Sequence, residues 1–178
     1  MRLWKRRCVT DKHESIIITG QLHDDIMRVA AERRRLALEW GQSDKRGIGD
    51  RGLAYMQQGL FAEVAVAIEL EMEWDWMAEW APNARDNDVN GIMVRSSGNH
   101  DYQLRTTDRD KSGPQVFVTV VRVHPKAVEC RIHGWLLLHE CNTQEHKTLM
   151  PWGEWQYLTP KTELDPIHTL LAHTHRRD

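Results

Sequence analysis

Residues 59–70, GLFAEVAVAIEL, are the most confining stretch of this chain. Leu53, Met56, Leu60, Val64, Ala67 and Ile68 recur at helical spacing and line one apolar face. Small Ala62 and Ala65 allow such a helix to approach a sheet closely. The surface it needs is supplied by residues 116–123, VFVTVVRV, a β-branched run that reads as a central strand. A helix lying on a sheet is therefore required before any motif is considered.

The remaining elements fit around that pair. Residues 15–19 read as a short strand, and 23–40 as a helix striped by Ile26, Val29, Ala30, Leu36 and Trp40. Between the two helices, residues 41–52 are glycine-rich and polar; the GK[ST] that would make them a phosphate-cradling loop is absent. Downstream, 92–97 alternates, with Ile92, Val94 and Ser96 on one face and Met93, Arg95 and Ser97 on the other. Residues 98–101 read as a hairpin turn and 102–107 as the returning strand. Further strands are expected at 130–139 and 155–158. Helices first and a meander after them give an α+β class, with N-terminal helices packed on a mostly antiparallel, mixed sheet. The expected organisation is a flexible basic arm at 1–14, a single domain at 15–165 and a tail at 166–178.

Composition narrows the function classes. At 178 residues with 40% hydrophobic side chains, the chain can build a core without staples. A net charge of -2 provides no global attraction to nucleic acid, so such binding would need local patches. MRLWKRR (1–7), ERRRL (32–36) and HTHRRD (173–178) are the basic clusters. Three cysteines at irregular spacing suit a reducing compartment rather than a disulfide framework, so the cytoplasm is the expected location. No apolar run approaches the roughly 20 residues of a membrane span, and none follows the basic start as a signal peptide would require. Eight tryptophans outnumber the three tyrosines and two phenylalanines. Trp74, Trp76 and Trp80 lie among acids, which favours packing over a phosphate-tracking surface.

The candidate chemistry lies between 63 and 105. Glu63 stands beside the apolar stripe of its helix, where a carboxylate is costly unless paired, hydrated or metal-bound. Asp86 and Asp88 precede the strand at 92–97, Asp86 seven and Asp88 five positions before Met93. With Met93-Val94-Arg95 this arrangement resembles the PD-(D/E)xK nuclease superfamily over roughly residues 53–123. The resemblance implies a restriction-endonuclease-like core and phosphodiester hydrolysis in DNA. It also implies Mg²⁺ or Mn²⁺ held by Glu63 with Asp86 or Asp88, and Arg95 at the phosphate. Carboxylates suit a hard cation, which would lower the pKa of its bound water. Two positions depart from the family pattern. Met93 replaces the second acid and is a poor magnesium ligand. Arg95 replaces the lysine; it cannot serve as a general base, but it can clamp a phosphate.

Other candidates concern binding. Arg33, Arg34 and Arg35 could form a phosphate-contacting ridge, which would position DNA without reading its sequence. Gln103 and Arg105 are expected to extend a polar surface beside Arg95. Cys130, His133, His139 and Cys141 are zinc-type ligands, but Cys130 and His133 fall on opposite faces of a regular strand. His100 is the histidine nearest the proposed site, within the expected turn. No nucleophile motif is present. The distal strands also look like small phage-type proteins, with no function attached. Two functions follow: a divergent DNA nuclease, or a degenerate relative that binds DNA or protein, such as a phage accessory or anti-defence factor in a bacterial host.

Overall fold

The computed structural model describes residues 8–10, 13–41, 51–73, 75 and 89–174. Two helices cover one face of a five-stranded sheet, and a three-stranded sheet lies against part of the other face. The large sheet contains β1 (Cys8–Thr10), β2 (His13–Thr19), β3 (Met93–Ser97), β5 (Pro114–His124) and β6 (Ala127–Leu137), in the order β1-β2-β6-β5-β3. The small sheet contains β4 (Leu104–Thr106), β7 (Lys147–Leu149) and β8 (Trp155–Thr159), in the order β4-β8-β7. The α+β expectation is met, with N-terminal helices on a mixed sheet.

Helix α1 (Gly20–Glu39) follows β2 with no intervening loop. The switch from strand to helix falls on Gly20 at φ +62°, a backbone state that costs glycine little and a side-chain-bearing residue more. His23, Ile26, Val29, Ala30 and Ala37 are buried; Trp40, expected to extend this stripe, is exposed past the helix end. Helix α2 (Arg51–Glu69) is buried nearly all round from Leu60 to Ala67, apart from half-buried Glu63. It is enclosed by α1 and the sheet, which explains why its hydrophobicity is not confined to one stripe. Fully burying Leu60 and Phe61 contributes about 2–3 kcal/mol each. The helix-facing layer of the sheet is Val94, Val116, Val118, Val120, Val128, Cys130 and Ile132.

The expected hairpin between 92–97 and 102–107 does not form, and this corrects the meander. β3 pairs in parallel with β5, from Met93 opposite Gln115 to Ser97 opposite Thr119. β4 pairs antiparallel with β8 in the other sheet. The reason is visible at residues 97–101. Ser97 Oγ accepts from Asn99 N, and Asn99 Oδ1 accepts from Asp101 N. His100 is then tied to Thr119, so the chain crosses the face of the sheet instead of turning back along β3.

β6 carries a bulge: Phe117 pairs with Gly134 and Val118 with Ile132, leaving His133 as the extra residue. Gly134 sits there at φ +140°, and an added Cβ would come within 2.4 Å of Asp165 O. That close crossing lets Trp135 and Asp165 exchange backbone hydrogen bonds of 3.0 and 2.9 Å. After β6 come the short helix α3 (Leu138–Cys141), the β7–β8 hairpin, a 3-10 turn at Lys161–Glu163 and helix α4 (Thr169–Thr174). Part of the stretch expected as an arm thus forms β1 and opens β2. Part of the expected tail forms α4, because Ile167 and Leu170 reach the main core and Trp135 Nε1 donates to Thr169 Oγ1. Among the described residues no helix is long and apolar enough to cross a membrane.

Candidate functional site

Glu63 lies on the helical side of the large sheet. Its carboxylate stands 3.6 Å from the Arg33 guanidinium, with the two side chains 18% and 13% exposed. A buried carboxylate at the edge of an apolar face thus has a cationic partner from the neighbouring helix, which offsets its desolvation. The rest of the arginine triplet diverges, as successive helical positions must. Arg34 lies across Gly52, where an added Cβ would fall 2.5 Å from the guanidinium carbon. Arg35 is exposed and bonded to Glu32 and Glu39, and its hydrogen bond holds the Glu32 carboxyl below its ordinary range. The three arginines therefore do not present one ridge.

Arg95 occupies the other side of the sheet. Val94 faces the helices, so Met93, Arg95 and Ser97 face away from them. Arg95 Nη2 lies 2.8 Å from Asp110 Oδ1, and Arg95 Nε donates to Gln115 Oε1 at 3.4 Å. Asp110 also accepts from Thr107 N at 2.7 Å, and fully buried Gln115 donates to the carbonyls of Lys111 and Gly113. Arg95 thereby fastens the β4–β5 connection to the sheet. Asp86, Asp88, Trp76 and Trp80 lie outside the described residues, as do Trp74, the 42–50 stretch of the glycine-rich loop, and the segments 1–7 and 175–178. Among the described residues, no three His, Cys, Asp or Glu are grouped to hold a metal ion. Glu63 is brought to a guanidinium on one face while Arg95 is held on the opposite face. Glu63 and Arg95 therefore do not meet on one face of the large sheet.

The polar face holds a second constellation. Thr119 Oγ1 is 2.7 Å from His100 Nδ1 and 2.9 Å from His133 Nε2. A hydroxyl has one proton, so it donates to one ring and accepts from the other. The bulge aims His133 at Thr119, and the ring stacks on Phe117 at 5.2 Å. Nearby, Ser15 Oγ donates to Glu129 Oε1 at 2.6 Å and Arg131 Nη2 donates at 3.0 Å. The Ser15 hydrogen bond is the main reason the Glu129 carboxyl titrates below its ordinary range, and Arg131 adds to it. Cys130 is in the helix-side core, bonded to Phe61 O, whereas Cys141 lies between the two sheets. Burial pushes Cys130 far up and Cys141 up to about 11, so both remain thiols at neutral pH. The zinc-type residues are divided between two layers.

The small sheet presents different chemistry. Arg105 and Gln103 are exposed, and the Arg105 guanidinium lies 5.7 Å from the centre of the Trp152 ring. Lys147 Nζ lies 5.4 Å from the Trp155 ring and 6.0 Å from that of Tyr157. Trp152 and Trp155 are each 55% exposed. Their positions next to Pro151 and Gly153 in MPWGEW are a turn signal with aromatic residues, but the cations that meet them come from elsewhere in the chain. The fold thus defines a two-sheet α+β domain with an aromatic hairpin whose exposed rings meet two cations. Comparison with known proteins finds no match: no family model, no curated protein and no solved structure.

Proposed function

We propose that this protein is a nucleic-acid-binding module, with DNA its expected partner and the exposed hairpin end of the three-stranded sheet its contact surface. The observation that carries this reading is the pairing of cations with exposed rings: exposed Arg105 with Trp152, and half-buried Lys147 with Trp155. Such a surface offers a positive charge to phosphate and an aromatic face to a base. Arg105, expected to contact DNA on sequence grounds, keeps that role here, with Gln103 exposed beside β4. With a net charge of -2, attraction must be local and sensitive to salt. Fluorescence anisotropy of labelled DNA at several salt concentrations tests it. Arg105→Ala should weaken binding to all sequences alike and lower the salt slope by about one. Failure of the unmodified protein to bind any DNA at low salt would dispose of the reading.

A second reading, metal-dependent DNA hydrolysis by a PD-(D/E)xK-like centre in a restriction-endonuclease-like core, rests on Glu63, a carboxylate only 18% exposed within the otherwise apolar stretch of α2 from Leu60 to Ala67. It requires Asp86 or Asp88 to join Glu63, and it leaves Arg95 on the far side of the sheet. Cleavage of supercoiled or single-stranded DNA with Mg²⁺ or Mn²⁺, abolished by both Glu63→Ala and Asp88→Ala, would favour it. Cleavage surviving both changes would reject it.

A further inference from the structure

The β7–β8 hairpin holds its exposed rings in fixed positions. Its turn is fixed by Met150 N donating to Glu154 O and Gly153 N donating to Met150 O, both at 2.9 Å, with Gly153 at φ +86°. Trp152 Nε1 donates to Glu154 Oε2 at 3.1 Å, which holds the indole by its edge while Arg105 lies over the ring. On the next strand, Lys147 is set between Trp155 and Tyr157, and the Tyr157 hydroxyl donates to Asp108 Oδ1 at 2.7 Å. The rings are therefore oriented in advance, which reduces the entropy lost when a ligand stacks on them.

The register separates the two tryptophans. Lys147 pairs with Tyr157 and Leu149 with Trp155, so these four residues share one face of the small sheet. Arg105 pairs with Leu158, one position out of phase, and belongs to the other face together with the Trp152 ring it touches. The small sheet thus offers Trp152 with Arg105 on one side, and at its exposed end Trp155 with half-buried Lys147 on the side whose Leu104, Thr106, Tyr157 and Thr159 are buried toward the large sheet. Neither ring is a core residue, since more than half of each remains exposed.

We infer that this hairpin grips unpaired nucleotides of a single-stranded nucleic acid, with one base stacking on Trp152 and another on Trp155. Arg105 and Lys147 take the phosphates of a backbone that crosses the tip. The inference rests on the nucleic-acid reading above and specifies its ligand. The cation beside each exposed ring selects this occupant. The centre of a protein interface is depleted of charged residues, whereas each ring here has a cation at its face. Bases inside a duplex are already stacked and offer no free face; unpaired bases offer two. Stacking reads no sequence, so the site tolerates any base with modest preferences. Glu154 opposes phosphate at the tip and limits affinity, the counterpart of its role in orienting Trp152.

The experiment is fluorescence anisotropy with a labelled oligothymidine, a labelled mixed-sequence single strand and a duplex of equal length, at low and moderate salt. The full chain is compared with Trp152→Ala, Trp155→Ala and Trp152→Phe, with thermal melts as the folding control. Both single strands should bind at least about tenfold more tightly than the duplex. Each alanine change should weaken single-strand binding roughly tenfold, the scale of a lost base stack, while Trp152→Phe retains most of it. Equal binding of duplex and single strand, unaffected by either alanine change, would overturn the stacking site and leave the broader nucleic-acid reading standing. Binding of neither would overturn both.

Discussion

The two faces of the large sheet obey different rules. Toward α1 and α2, Val94, Val116, Val118, Val120 and Ile132 form a continuous apolar layer, bordered by Ser96, whose Oγ accepts from Gln58 Nε2 of α2 at 3.1 Å. Toward the small sheet, the alternate positions are Arg95, Ser97, Gln115 and Thr119, joined by His133 and interrupted by Phe117. The first face is stabilised by nondirectional burial and tolerates exchange of one aliphatic residue for another. The second depends on particular partners: Arg95 on Asp110 and Gln115, Thr119 on two histidines, Glu129 on Ser15. Adjacent residues on one strand can therefore respond very differently to the same kind of change.

Val118→Asp should break the comparison most severely. Val118 is fully buried among apolar side chains, and a carboxylate there has no partner. The cost is several kcal/mol, comparable to the total stability of a typical domain, about 5–15 kcal/mol. The expected outcome is loss of cooperative thermal unfolding; a Tm within a few degrees of the parent would mean that the strand faces are misassigned.

One residue along, Thr119→Val keeps shape and removes the hydroxyl from both histidines. The expected cost is about 1–3 kcal/mol, since buried His133 Nε2 loses this hydrogen bond. Urea denaturation measures it. A stability gain would show that this face prefers apolar packing just as the first does.

The smallest effect sharpens the electrostatic side. Glu129 is held below its ordinary range, first by the Ser15 hydroxyl. A carboxyl whose folded-state pKa is depressed stabilises the fold fully above its unfolded value. That contribution is lost as pH falls through the depressed value. Ser15→Ala should therefore cost about 1 kcal/mol at pH 7, with the difference shrinking toward the acid limb. Parallel stability curves for the two proteins from neutral to acid pH would show that the hydroxyl does not act through the ionised carboxylate.

Much of the helical side is legible in the sequence. The periodicity of α2, the β-branched run of β5 and the alternation of β3 place Leu60, Val118 and Val94 where they are found, because burial is written locally in hydrophobic spacing. The polar side is not legible in the same way. His100 stands in an expected turn and Thr119 inside an apolar run; nothing in their spacing joins residues 19 positions apart. Arg95 reads as a phosphate contact, and nothing in its spacing announces Asp110 and Gln115, through which it fastens the β4–β5 connection. Trp152 and Trp155 are visible as residues near an expected strand, but Arg105 and Lys147 meet them only across the small sheet.

By itself the sequence determined the class of the fold, the place of α2 and β5 in the core, and the absence of a phosphate-loop motif, since each depends on residue type and local period. The tertiary structure decided strand partners and side-chain partners. It made β3 parallel to β5, assigned β4 to a second sheet, gave Glu63 to Arg33 and put a cation over each exposed tryptophan of the hairpin. The physical reason is the difference in range. Hydrophobic periodicity is set by the backbone within a few residues, whereas hydrogen bonds and ion pairs form between any groups that folding brings within about 3–4 Å, however far apart they lie along the chain.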